Sequence, residues 1–258
     1  MVNLKKYKTV SRYFVLILTF ILLFSCAEHK YYVTKIEGKD FGVTNKNNSI
    51  EAIDSYIKPY RDHIDAELNT PISYAPETLD KSGKWQTTIG NLLADITLQK
   101  GNAIFNAREN KQIDLCLLNN GGIRSIIPKG NVTMKTAFEI MPFENTSIVV
   151  ALKGEQIIEM LNYFIAENKP HPLSGLQFTI SKTNQPISIL IQGKPFDNNR
   201  TYYVITSDYL ANGGDKMDFF KKGTAKYDLN YKLRNILIDY FKENKTIAAT
   251  KDNRIIVE

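Results

Sequence analysis

Apolar and polar positions divide the chain into three stretches. Residues 13–24 (YFVLILTFILLF) are twelve in a row without a charge, preceded by a basic opening with Lys5, Lys6, Lys8 and Arg12. Residues 27–48 are polar, rich in Lys, Thr, Gly and Asn, and read as a tether; within them 30–35 (KYYVTK) has the composition of a short strand. From Ile50 onward, Ile50, Ile53, Ile57, Tyr60, Ile64 and Leu68 recur at helical spacing. That stripe predicts an amphipathic helix, capped by Asn48 or Ser49, with Glu51 and Asp54 at its positive end and a kink at Pro59.

The pattern then alternates. Residues 71–84, with Pro71, Pro76 and Gly83, predict a loop. A helix is expected over 87–100 (TTIGNLLADITLQK), turning Leu92, Leu93 and Ile96 inward. Residues 113–118 predict a short buried strand that runs straight into Asn-Asn-Gly-Gly. Strands follow at 132–134, 147–152, 176–180, 187–191 and 202–206, helices at 154–167 and 229–240, and a last strand at 254–257. There is no internal repeat. Helices mixed with short strands, without strict alternation, predict an α+β fold of mixed β-sheets flanked by helices, as a single domain over 49–258.

The apolar opening bears on location. Twelve residues of helix span about 18 Å, short of a hydrocarbon core about 30 Å thick. With the basic residues before it, this is the layout of an export signal. Leu23-Phe24-Ser25-Cys26 resembles a bacterial lipobox. The resemblance implies a signal peptide over 1–25, lipidation of Cys26, a lipid-anchored tether over 26–48, and an exported protein held at a membrane of the cell envelope, facing the periplasm or the surface. Cys116 is then the one remaining thiol, set in an apolar run and expected to be buried and inert.

Charge and composition narrow the partners. The 258 residues carry 33 Lys and Arg against 27 Asp and Glu; without the leader's four cations the balance is 29 to 27. The basic character thus belongs mostly to the leader and makes no case for a nucleic-acid partner. Three histidines (His29, His63, His171) and two cysteines are too few for a zinc finger, a His-rich metal centre or a disulfide scaffold.

Three turns carry candidate chemistry. In Asn119-Asn120-Gly121-Gly122-Ile123-Arg124 the glycines permit close backbone approach, and Arg124 offers a planar fork to phosphate or carboxylate. Met141-Pro142-Phe143-Glu144-Asn145 presents an aromatic face and an amide, suited to stacking on a planar ring and reading its edge. Ser207 through Asp215 adds Tyr209, a Gly-Gly pair and a carboxylate suited to hydroxyls. Each alone is equally an ordinary turn. Gly214-Asp215-Lys216-Met217-Asp218 fits a G-D-x-x-D pattern of binuclear metallophosphatases, but the His-containing motifs that complete such a site are absent from the sequence, so the match is read as accidental.

Together these segments resemble the C-terminal domain of the bacterial periplasmic and animal ecto 5′-nucleotidases, the UDP-sugar hydrolase family. In family order, residues 88–95 (TIGNLLAD) resemble its S-N-x-G-N-L-x-A-D helix, 119–124 its N-x-G-G-I-R turn, 142–145 its P-F-x-N loop, 152–154 its L-T-G, 174–178 the segment near its base pocket, and 209–215 its aromatic-x-x-x-G-G-D loop. The resemblance implies that Phe143 and Tyr209 sandwich a nucleobase, Asn145 hydrogen-bonds it, Asp215 takes the ribose hydroxyls, and Arg124 faces a phosphate or carboxylate. Asn120, Gly121 and Gly214 complete the implied contact set.

It also implies that no catalytic residue and no metal ligand lies in this chain. In the family the divalent metals sit in a separate metallophosphoesterase domain. Two departures stand out: Lys81, Gly83 and Lys84 occupy the stretch where the family has an arginine, and Thr88 replaces the motif's asparagine. The expectation is a nucleotide- or nucleoside-binding half of a 5′-nucleotidase-type phosphohydrolase for nucleotide catabolism, with the metals supplied by a separate metallophosphoesterase protein. The alternatives are a non-catalytic nucleoside- or nucleotide-binding lipoprotein and an interaction domain with a decayed pocket.

Overall fold

The computed structural model describes residues 4–23, 31–42, 44 and 50–258. They form two compact units, Met1–Glu51 and Ala52–Glu258. In the first, helix α1 (Leu4–Leu23) takes in the apolar run, and residues 31–42 have no regular structure, so the strand expected at 30–35 does not form over its described part. No helix among the described residues is long and apolar enough to cross a membrane. Lys30, Cys26 and the cap candidates Asn48 and Ser49 lie outside the described residues.

Helix α2 (Glu51–Asn69), all but its first residue in the second unit, continues past Pro59. Its apolar stripe is not buried: Ile53, Tyr60 and Ile64 are each more than half exposed. The loop expected at 71–84 begins instead as β1 (Pro71–Ala75), paired antiparallel with the strand at Gly130–Thr133. Helix α3 (Thr88–Glu109) outruns its predicted end. Thr87 caps it by accepting from the Gly90 amide at 2.9 Å, and Asn110, at φ 53°, closes it. Gly101 lets it lie tight on the sheet, since a Cβ there would come within 2.1 Å of the Ile205 Cδ1.

After α3 come β2 (Leu115–Leu117), β3 (Gly130–Thr133), α4 (Met134–Ile140), β4 (Thr146–Lys153) and α5 (Gly154–Glu167). The chain continues through β5 (Leu173–Ser174), β6 (Leu176–Ile180), β7 (Pro186–Ile191), β8 (Lys194–Pro195), β9 (Thr201–Ser207) and the short α6 (Asp208–Ala211). It ends with β10 (Ala225–Lys232), α7 (Leu233–Glu243) and β11 (Ile255–Val257). The expected helix at 229–240 is thus corrected: residues 225–232 are a strand, antiparallel to β4, and the helix starts at Leu233.

A five-stranded mixed sheet ordered β10-β4-β9-β2-β5 divides two cores. Alternate residues of each strand face opposite layers. Val149, Ile205 and Cys116 pack with Ile89, Leu93 and Phe105 of α3 and Ile236, Leu237 and Phe241 of α7. Val150, Leu152, Val204 and Leu115 pack with Ile157, Leu161 and Phe164 of α5 and with Phe178 of the four-stranded sheet β11-β6-β7-β8. Cys116 is fully buried, and burial pushes its thiol well above the ordinary value, as expected of an inert cysteine. The α+β fold with mixed sheets stands. It places the turns after β2, α4 and β9 beside one another, because β2 and β9 are parallel neighbours and α7 spans the gap to the loop after α4.

Candidate functional site

A cavity of about 450 Å³ opens where those three turns meet. Arg124, Phe143, Asn145, Tyr209 and Asp215, drawn from separate segments of sequence, all line it. Its floor is apolar, formed by Leu93, Leu118, Ile123, Met141 and Leu233. The two rings are half exposed, Phe143 at 44% and Tyr209 at 48%, so each offers a face without being part of a core. The Arg124 guanidinium sits 5.1 Å from the Phe143 ring centroid, a cation–π contact at the cavity wall.

Asp215 is the hub of the polar side. Its Oδ1 accepts from the Tyr209 hydroxyl at 2.9 Å and its Oδ2 from the Asn119 amide at 2.6 Å. Its amide donates back to the Tyr209 oxygen at 3.1 Å, and its carbonyl accepts from the Tyr163 hydroxyl at 2.7 Å. Asp215 holds this position at φ 52°, a left-handed conformation that aspartate tolerates better than most residues. Gly214 backs the same ring: a Cβ there would lie 2.4 Å from Tyr209 Cε1. Gly214 therefore supports Tyr209 and is not among the lining residues, whereas Gly121 is.

Asn120, too, is not among the lining residues. Its amide donates to Nδ1 of buried His171 at 3.2 Å, and its side-chain oxygen is buried without a partner. The neighbouring Asn119 takes the position facing the cavity. A 3-10 turn over Asn120–Gly122 sets which of the two adjacent asparagines points inward. Lys81, in the stretch where the resemblance has an arginine, is not among the lining residues. Its ammonium donates to the carbonyls of Ile123 at 2.8 Å and Asn120 at 3.3 Å, tying down the turn from behind. Burial, with nearby Arg124, pushes its pKa below the usual lysine value. Thr88, in place of the family asparagine, accepts from the Asp80 amide at 3.0 Å.

His171 is 4% exposed, and burial holds its pKa down at about 4, with Glu167, Lys169 and Asp215 contributing smaller and partly opposing effects. To accept from Asn120 it must be neutral, carrying its proton on Nε2. The unfolded chain takes up that proton near pH 6.5 and the folded one near pH 4, so stability falls as pH drops through this window. The expected contribution is roughly 3 kcal/mol. Thermal midpoints measured from pH 7 to 4 should decline for the wild type, and His171→Gln should flatten the decline. A parallel decline in the variant would contradict this.

Two features do not extend the site. Asp218 of the G-D-x-x-D stretch pairs with Lys221 at 2.7 Å, away from the partners of Asp215. Among the described residues no three His, Cys, Asp or Glu side chains group so as to hold a metal. A second hollow, of about 380 Å³, is bordered by Gln177, Gln192 and Arg254. All five guanidinium N–H groups of Arg254 are spent on Asp95, Asp252 and the Leu173 carbonyl, leaving none for a ligand.

Sequence reasoning missed the start of α7. Leu233 lines the cavity, its amide donates to the Asn145 carbonyl at 3.0 Å, and Lys232 and Arg234 both bind the Glu144 carboxylate. Those two cations hold the Glu144 pKa at about 2.

The family model for the 5′-nucleotidase C-terminal domain matches residues 66–222. The chain is 27% identical over 205 residues to the trifunctional nucleotide phosphoesterase protein YfkN of Bacillus subtilis, covering 72% of this chain and 14% of that protein. It is 26% identical over 169 residues to protein UshA of Escherichia coli, covering 62% of this chain and 29% of UshA. Among solved structures, the 5′-nucleotidase precursor of Thermus thermophilus superposes with a TM-score of 0.66 at 27% identity, over 80% of this chain and 42% of that one. The chain thus spans less than half the length of each of these relatives. The family match takes in all three cavity turns, and this chain belongs to the 5′-nucleotidase C-terminal domain family.

Proposed function

We propose that this chain is the nucleotide- or nucleoside-binding part of a 5′-nucleotidase-type phosphohydrolase. The observation that carries the reading is the convergence of Arg124, Phe143, Asn145, Tyr209 and Asp215 on one cavity. The two aromatic faces stack the base, the Asn145 amide reads its edge, and Asp215, fixed by Tyr209 and Asn119, accepts from the ribose hydroxyls. Arg124 attracts the phosphate and orients it. The relatives' names, nucleotide phosphoesterase and 5′-nucleotidase, support this ligand class.

The reading includes a partner. A separate metallophosphoesterase protein supplies divalent metals and the attack on phosphorus, while this chain binds and orients the substrate. Lipidation at Cys26, supported by the basic opening, the apolar run and Leu23-Phe24-Ser25-Cys26, holds the pair at the membrane. The test is phosphate release from AMP by the full chain, with divalent metal, alone and mixed with a metallophosphoesterase from the same cell. Release only from the mixture, abolished by chelator, is expected. Release by the chain alone in chelator would overturn the two-chain reading, and tight binding with no release from any mixture would favour a non-catalytic binding lipoprotein.

A further inference from the structure

Phe143 is half exposed, so core packing does not fix its ring; besides the Arg124 contact, its place depends on the backbone that carries it. That backbone, residues 141–145, lies between α4 and β4 and belongs to neither. Its carbonyls therefore lack helix or ladder partners and must find others. They find them in the first turn of α7. Arg234 Nη1 lies 3.4 Å from the Met141 carbonyl oxygen, 3.2 Å from that of Pro142 and 3.4 Å from that of Phe143. Its Nη2 donates to the Glu144 carboxylate, and the Leu233 amide takes the Asn145 carbonyl.

Arg234 is 6% exposed, and its guanidinium stacks 4.2 Å from the Phe138 ring centroid. A charge buried this far is costly unless fully engaged. Here three carbonyl dipoles and a carboxylate engage its two Nη groups and a ring face covers its plane, while its buried Nε has no hydrogen-bond partner. A planar fork can serve several acceptors at once in a way that a lysine ammonium cannot.

We infer that Arg234 is the positioning residue that holds the Met141–Asn145 loop, and with it Phe143 and Asn145, in its ligand-facing arrangement before any ligand arrives. It touches no ligand itself and is not among the lining residues. Its effect on affinity comes through preorganisation, because a loop already ordered has less to lose on binding. The affinity part rests on the ligand class proposed above; the ordering part does not.

The test compares the full chain, in mild detergent, with Arg234→Lys, Glu144→Gln and Ile236→Val. The last alters a fully buried side chain of the same helix and serves as a control for general destabilisation. Two quantities are read: backbone order parameters of Phe143, Glu144 and Asn145 by NMR, and the Kd for adenosine. The wild-type loop is expected near the rigid value of about 0.85, and the Arg234→Lys loop below about 0.6. The Kd is expected to rise about tenfold in Arg234→Lys, in line with the ordering of a few side chains. Glu144→Gln should move both in the same direction by less, and it carries the comparison if Arg234→Lys does not fold. Ile236→Val should move neither. A loop as rigid in Arg234→Lys as in the wild type, or one equally loosened by Ile236→Val, would overturn the inference. If the wild type binds no nucleoside, the ligand class fails, and the order parameters alone decide the role of Arg234.

Discussion

Phe143→Ala is expected to weaken binding of a purine nucleotide about 10- to 100-fold, and Tyr209→Ala by a similar factor, because base–aromatic stacking is worth about 1–3 kcal/mol per ring. The double variant should approach the product of the two losses, less whatever coupling arises from both rings meeting one base. Neither change should move the thermal midpoint much, since both rings are half exposed and neither is a core residue. This separates binding from folding. Phe143→Tyr should retain most of the affinity, because the stacking face is kept. Calorimetric titration of the wild type and these variants checks the pattern. Unchanged affinity in both alanine variants would mean that the cavity does not hold a base between these rings.

Asp215→Asn is the second large effect. It keeps the shape and the tolerance for φ near 52° but removes the charge. The carboxylate fixes Tyr209 and Asn119, and in the proposed complex it also accepts from the ribose. Hydrogen bonds to a charged group are worth about 1.5–3 kcal/mol, so adenosine binding is expected to weaken about 10- to 100-fold. The loss should be selective. An analogue without the 2′ and 3′ hydroxyls should bind the wild type and the variant almost equally. If it suffers as much as adenosine does, Asp215 acts on ring placement through Tyr209 and not on the sugar. The Asp215→Asn variant should also retain its fold, because the side chain lies on the cavity rim and not in either core.

What could be read in advance follows from the range of the forces involved. Helix α5 and strand β6 lie where local pattern put them, because capping, period and strand composition act within a few residues. The three turns were visible because glycine, proline and asparagine announce turns locally. Strand β10 was missed because Leu229 fits two periods, alternating with Tyr227 and Ala225 or stepping helically to Leu233 and Ile236. Pairing with β4 decides between them, and pairing is non-local. The choice between Asn119 and Asn120 had no local signal, since the two are identical neighbours and the turn geometry assigns their faces. Lys81 and Arg234 resemble each other in this respect. Neither residue's local sequence shows its partners, and each folds back to bind carbonyls of a cavity turn far away in the chain. Most of the residues that line the cavity were thus legible in the sequence, while the distant residues that bond to its turns were not.

The central claim is that this cavity binds nucleosides and nucleotides through this chain's own residues. It is tested most directly by calorimetric titration of the full chain with adenosine and AMP, with and without divalent metal. Saturable one-to-one binding of both ligands, undiminished by chelator, is the predicted result. The absence of saturable binding by either ligand, in a protein whose melting curve shows it folded, would contradict the account.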